Sequence, residues 1–429
     1  MDTMNKLYRF AYGDGYVDVP LPEKQVLGVL SGNEVAPLAD IAEAAADALD
    51  HPVDAPALRT LLKPGMRVAL IISDMSRYWM RQDLVVPHVL AYLGSCGIDD
   101  ASVTIVIANG THDGGPESEL RQLVTDAVFD RVRVVNHDCD DPESVYIGTT
   151  AHGNRVIINK EVAQADFVIA LGACTHHVMA GFGGGRKSIL PGVSARSTIC
   201  YNHAFALDEH QLMSSPKIGN AKLEGNPLHE DMCEAAALVK NLFVINLVMN
   251  ADMKLADIIA GSPMASWQKA CARVDEIYRV PIKEKADIVV ASCGGFPKDM
   301  SLYQGTKSID NVEFCLKPGG TLILMIEARD GGGPEEYFGW CRDYVGGTMN
   351  RRIRDAFTVP GYIFLLNCEQ AQRYNVMMLT RVPKETAAPM GIHAYDDICT
   401  LLADVDFAGK SIYVIPNAST TVPGIVENE

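Results

Sequence analysis

The chain has 429 residues, long enough for two domains of ordinary size, each with a sizeable core. Its 37 basic and 54 acidic residues leave a net charge of −17, which disfavours nucleic acid or an anionic membrane face as the main partner, so an anionic substrate needs a local basic pocket. Eleven scattered cysteines without a C-x-x-C argue against a disulfide framework or a thiolate zinc site and read as small buried hydrophobes; with no apolar run of membrane-span length and no basic-then-apolar N-terminus, a cytosolic protein is expected.

From the N-terminus, residues 8–19 alternate around Gly13-Asp14-Gly15 and predict a hairpin, and the Ala-rich, acidic segment 39–49 predicts a helix. After the Lys63-Pro64-Gly65 turn, residues 67–72 form a buried strand that ends in Ser73-Asp74-Met75-Ser76-Arg77. An Asp and an Arg three apart after a strand suit either a helix cap and ion pair or a ligand site. A second strand, 103–108, leads into Asn109-Gly110-Thr111-His112, where a lone histidine is either solvated or functional. Segments 131–136, 166–172 and 242–248 complete a set of short apolar runs alternating with helical ones, the pattern of a mostly parallel sheet.

The strand 166–172 runs into His176-His177 and then Gly183-Gly184-Gly185-Arg186-Lys187. Histidines leaving a strand's carboxyl end sit where open α/β sheets place their ligands. Glycines without Cβ atoms either expose amides to an anion, with Lys187 supplying charge, or simply allow tight packing. Arg186 stands where a P-loop or a dinucleotide fingerprint starting at Gly181 needs glycine, so neither motif is present. His137 and His210 fall outside any pattern and have no assigned role.

Segment 257–278 predicts a helix interrupted at Gly261-Ser262-Pro263. Val280-Pro281 and the charged Lys283-Glu284-Lys285 mark a boundary between domains 1–278 and 281–411. A second α/β series follows with strands at 287–292, 321–326, 362–366 and 376–379, and a further apolar run, 412–415, precedes Pro416-Asn417-Ala418-Ser419. There, Cys293-Gly294-Gly295 is another glycine turn at a strand end. Tyr303, Gln304 and Lys307 share a helical first turn, either as solvated groups or as ligand contacts.

Together, Asp74-x-x-Arg77, His112, His177-x-x-Ala180-Gly181, Gly184-x-x-Lys187 with Pro191-Gly192 and His203, and Tyr303-Gln304-x-x-Lys307 resemble the nickel-dependent lactate racemase family. The resemblance spans residues 67–307 by motif. It implies two α/β domains with mostly parallel sheets and the active site in the cleft between them. Residues 1–278 are then the cofactor-binding and catalytic domain, rejoined by segment 412–429, and 281–411 the domain that closes over substrate. Implied too are nickel and a nickel-pincer nucleotide (a pyridinium-3,5-bisthiocarboxylic acid mononucleotide), held by Lys187 covalently or by charge, with Gly184 and Gly185 beside it. His203 completes the nickel's coordination, and Asp74 serves as a cofactor-site or orienting group. His112 and His177 are the implied pair of bases, with Ala180-Gly181 at the family spacing selecting His177 over His176. Arg77 and Lys307 are assigned to the substrate carboxylate and Tyr303 and Gln304 to further hydrogen bonds; Arg186 adds a positive charge.

The implied reaction inverts C2 of a small-molecule 2-hydroxy acid, lactate or a longer relative, by reversible hydride transfer. Removing a hydride avoids a carbanion next to a carboxylate. Cofactor-synthesis proteins are the implied maturation partners, with no nucleic acid or membrane. Two other classes remain as alternatives: an NAD-dependent 2-hydroxyacid dehydrogenase, whose fingerprint is absent, and a non-catalytic small-anion-binding protein, which needs no paired bases.

Overall fold

The structure is a computed structural model that describes residues 5–425. Among these, the chain divides into two compact units: a larger one of residues 34–205 and 217–277, and a smaller one of residues 5–33, 206–216 and 278–425.

The larger unit is built on a six-stranded sheet in the order Leu255–Gly261, Leu242–Met249, Phe167–Ala173, Val68–Ser73, Val103–Ala108, Arg133–Asn136. All neighbours are parallel except the first pair. The three central strands are buried along almost their whole length, as expected for parallel strands covered on both faces. Leu70, Ile72, Ile105, Leu171 and Ile245 form part of one core. The helix Ile41–Asp50 covers it, started by Asp40, whose carboxylate accepts the Glu43 amide at 3.0 Å. Chain order reverses between Val68–Ser73 and Phe167–Ala173, which creates a topological switch point at their carboxyl ends.

The smaller unit has an all-parallel sheet in the order His393–Tyr395, Asn375–Leu379, Leu316–Met325, Ala286–Ser292, Ile412–Ile415, Val26–Val29. Its switch point lies between Ala286–Ser292 and Ile412–Ile415. The hairpin Asn5–Tyr12/Gly15–Pro22 lays Phe10, Val19 and Leu21 onto a core shared with Ile288, Val290 and Val414.

Four expectations change. Segment 412–429 does not return to the larger unit: Ile412–Ile415 is the strand between Ala286–Ser292 and Val26–Val29, and residues 426–429 lie outside the described set. The first 278 residues likewise do not form one body, because the N-terminal hairpin and residues 206–216 belong to the smaller unit. The apolar run 362–366 is not a strand but the interior of the helix Val359–Arg373, which Thr358 caps at the Gly361 amide (3.2 Å), with a proline in its first turn. Finally, 257–278 divides into the strand Leu255–Gly261 and the helix Pro263–Tyr278. Gly261 turns between them at φ +148°, where a Cβ would lie 2.1 Å from the Val53 carbonyl oxygen.

All eleven cysteines are free; most are buried or half-buried, and Cys399 is exposed. No helix among the described residues is long and apolar enough to cross a membrane.

Candidate active site

Around the larger unit's switch point, the loops after three parallel strands carry the candidate residues. Asp74 and Arg77 follow Val68–Ser73, His112 follows Val103–Ala108, and His176, His177 and Lys187 follow Phe167–Ala173. The Gly110 amide donates to the Gly192 carbonyl at 3.0 Å, which pins the His112 loop to the turn beyond Lys187. That turn requires glycine at 192, since a Cβ there would sit 2.3 Å from the Ser188 carbonyl oxygen.

Asp74 Oδ2 lies 2.6 Å from His112 Nδ1, and the Ser76 hydroxyl donates to Asp74 Oδ1 at 2.6 Å. Arg77 in turn donates to the Ser76 oxygens at 3.2 and 3.4 Å. Burial pushes the Asp74 pKa up, but the His112 hydrogen bond and charge, the Ser76 hydroxyl and the Arg77 charge outweigh it, so the carboxylate stays below its usual range. An ionised Asp74 on Nδ1 places the neutral ring's lone pair on Nε2, the arrangement of a histidine base with an orienting carboxylate. With both carboxylate oxygens engaged, Asp74 fits the orienting alternative.

His177 is held differently. Its Nδ1 accepts the amides of Met179 (3.1 Å) and Ala180 (3.2 Å), and its Nε2 lies 3.0 Å from Lys187 Nζ. The adjacent His176 is packed into the fold instead: its side chain is only 4% exposed, its Nε2 is 2.8 Å from Asp275, and its ring packs at a tilt against Phe182, 4.9 Å between centroids. The two neighbours are thereby distinguished by what each ring meets.

The glycine run packs. Gly183 and Gly185 donate their amides to Thr175 O (2.7 Å) and Asn246 Oδ1 (3.1 Å), and Cβ atoms at Gly184 or Gly185 would press on Asn246 and Trp267. Arg186 does not extend a positive charge toward a ligand. Its guanidinium is 1% exposed, lies 3.8 Å over the Trp267 ring, and donates to the carbonyls of Ala180 (2.8 Å) and Phe182 (3.1 Å) and to His229 Nδ1 (3.1 Å). Burial lowers its pKa from the ordinary value. Arg186 thus binds the strand Ala180–Phe182 to the turn that carries Lys187.

His203 is buried on the helix Arg196–Ala204, with Nδ1 on the Ile199 carbonyl at 3.0 Å. Burial, reinforced by the Lys187 charge, pulls its pKa down to about 3. It is therefore a neutral imidazole at physiological pH, with Nε2 as its lone-pair nitrogen, which is the form a metal ligand needs. Among the described residues, the one group of three His, Cys, Asp or Glu side chains close enough to share an ion is Asp138, Cys139 and Asp140, and Arg196 already engages Asp140 at 2.7 Å. A metal at His203 would therefore draw most of its donors from a bound group; a neutral imidazole with a primary amine nearby fits a cofactor that brings its own sulfur ligands.

In the smaller unit, Tyr303, Gln304 and Lys307 do gather on one turn: Lys307 Nζ donates to Gln304 Oε1 at 3.0 Å and lies 4.1 Å over the Tyr303 ring. Sequence reading missed Asp231, fully buried, which accepts from Thr150 (2.6 Å), Asn154 (2.8 Å) and Asn202 (2.8 Å) and anchors the His203 helix. An acid spaced among Leu228, Met232 and Ala235 on the buried face of the helix Pro227–Ala237 was its signal. His137 proves structural, with Nε2 on the Ser194 carbonyl at 2.9 Å, and His210 lies on an exposed turn.

Residues 12–214 match the lactate racemase N-terminal domain family, and residues 282–359 match the lactate racemase C-terminal domain family. The lactate racemase of Lactiplantibacillus plantarum is 34% identical over 291 residues, covering 68% of this chain and 67% of that protein. That of Thermoanaerobacterium thermosaccharolyticum is 31% identical over 335 residues, 77% of each. The solved lactate racemase apoprotein from the latter organism superposes with a TM-score of 0.87 at 27% identity, covering 98% of this chain and all of that one.

Proposed function

The chain belongs to the lactate racemase family and is an isomerase of the racemase type; from that premise we propose that it inverts C2 of a 2-hydroxy acid using a nickel-pincer nucleotide. The observation that carries this reading is the pair of differently oriented histidines flanking one switch point, one backed by a carboxylate and one beside Lys187.

Lys187 and His203 are the residues proposed to hold the cofactor, Lys187 by covalent link or charge and His203 through Nε2 to nickel; Gly184 and Gly185 shape the turn that presents Lys187. When bound, the group supplies a reversible acceptor for the C2 hydrogen as hydride. The chain's own residues handle the protons and the orientation. His112 Nε2 takes the hydroxyl proton of one enantiomer, and the Asp74 carboxylate at Nδ1 stabilises the imidazolium that forms. His177 serves the other hand, its ring fixed by two backbone amides. Arg77 and Lys307 are the cations proposed for the carboxylate, because a guanidinium fork or an ammonium suits that group. Tyr303 and Gln304 add hydrogen bonds. Cofactor-synthesis proteins are the proposed maturation partners.

The test is interconversion of D- and L-lactate, followed by chiral chromatography, with protein produced in cells that make the nucleotide and verified for nickel. Full cofactor occupancy without inversion of lactate or any other 2-hydroxy acid refutes the reading.

A further inference from the structure

The strand Val68–Ser73 passes through Asp74 into the short helical turn Met75–Met80, which carries Ser76 and Arg77. An acid and an arginine three apart at such a place have two ordinary local uses: the carboxylate caps the helix start, or the two charges pair. Neither occurs. Asp74 occupies the N-cap position, yet its side chain makes no capping hydrogen bond. Its Oδ2 reaches His112 in the loop after the neighbouring strand, and its Oδ1 takes the Ser76 hydroxyl. The Arg77 guanidinium pairs with no carboxylate among the described residues and donates to Ser76 alone, to the hydroxyl at 3.2 Å and the carbonyl at 3.4 Å. It stays near enough for its charge to help lower the Asp74 pKa, after the larger effect of the His112 and Ser76 hydrogen bonds.

The Ser76 hydroxyl therefore stands between the two charges, donating to Asp74 Oδ1 at 2.6 Å and accepting from Arg77 Nη1 at 3.2 Å. One proton and two lone pairs let a hydroxyl do both at once. Without it, opposite charges this close would meet directly, because a guanidinium fork fits a carboxylate. A closed pair would compete with His112 for Asp74 and with any bound anion for Arg77. With only neutral oxygens as partners, the guanidinium gains by exchanging them for a carboxylate, since hydrogen bonds between charged groups are the stronger ones.

We propose that Ser76 is a positioning residue that keeps Arg77 and Asp74 from pairing, which leaves the carboxylate on His112 and the guanidinium open to the substrate's carboxylate. This rests on the racemase reading of Arg77 and His112. The test compares wild type, Ser76→Ala and Ser76→Thr, which retains the hydroxyl; Ser76 is exposed, so both variants should fold. A crystal structure of the Ser76→Ala apoprotein should show Arg77 directly on Asp74, at about 2.7–2.9 Å. In the loaded protein, the Ser76→Ala KM for both lactate enantiomers should rise about 3–10-fold, the range for a hydrogen bond to a charged group discounted for solvent exposure. At saturation, single-turnover oxidation should slow by a similar factor for the enantiomer served by His112 and stay unchanged for the one served by His177. Ser76→Thr should restore wild-type behaviour. Arg77 still apart from Asp74 in the Ser76→Ala structure, an unchanged KM, equal slowing of both enantiomers, or no recovery with threonine each overturns the proposal. The racemase reading fails separately: if loaded wild type racemises nothing, the Ser76→Ala structure still decides whether Ser76 holds the two charges apart.

Discussion

Replacing Asp74 by Asn tests the chemistry at its most exposed joint. The amide keeps the shape but loses the charge, and it can turn its NH2 toward His112 Nδ1, forcing the ring proton onto Nε2 where the base needs a lone pair. A charge-assisted hydrogen bond contributes about 1.5–3 kcal/mol, or roughly 10–100-fold in rate, and loss of the correct tautomer in a comparable acid–histidine pair costs up to about 10⁴-fold. His112 is 55% exposed while Asp74 is only 15% exposed, so water screens part of the contact, and an intermediate loss of about 10²-fold is expected. Racemisation should fall in both directions, as the equilibrium demands. Single-turnover reduction of the cofactor by each pure enantiomer should discriminate: the enantiomer served by His112 slows, and the one served by His177 does not. The same substitution has a stability signature. Because the folded Asp74 pKa is depressed, its contribution exists above the ordinary carboxylate pKa and is lost as pH falls through the folded value. Asp74→Asn should therefore be slightly less stable at neutral pH and show a flatter acid limb below about pH 4. Wild-type racemisation by the variant, or equal slowing of both half-reactions, would refute the assignment.

Arg186→Met should lower the melting temperature markedly, because it strands the carbonyls of Ala180 and Phe182 in the interior at a cost of about 1–3 kcal/mol each; differential scanning calorimetry showing an unchanged transition would contradict the clamp. His229, whose pKa burial and the Arg186 charge pull down to about 4, stays neutral in the fold while the unfolded chain protonates near pH 6.5, so stability should be lost as pH falls from about 6.5 to 4. His229→Gln should flatten denaturant midpoints across that window; an identical slope in both proteins would rule His229 out as the cause. His176→Asn should reduce stability yet retain racemisation, whereas His177→Ala should abolish it; the reverse outcome in a chiral assay would move the base to His176.

The sequence by itself determined the chemistry-bearing loops and the strands that present them. Val68–Ser73, Val103–Ala108 and Phe167–Ala173 are short apolar runs with the candidate residues at their carboxyl ends, and local signals of that kind need no knowledge of distant partners. Tertiary structure decided whatever depends on contact between segments far apart in the chain. An apolar run such as 362–366 reads alike as buried strand or buried helix until the Trp340 ring packs against Gly361 and Thr358 caps the turn. The strand Ile412–Ile415 could have joined either sheet, since strand pairing is set by which hydrophobic face it completes, and here that face belongs to Ile288 and Val290. The charge of Arg186 was legible but its direction was not: the glycines around it leave room for Trp267 and His229, and those rings, supplied by two later helices, draw the guanidinium inward. The same dependence separates His176 from His177, identical side chains told apart only because Asp275 stands on one side of the backbone and Lys187 on the other.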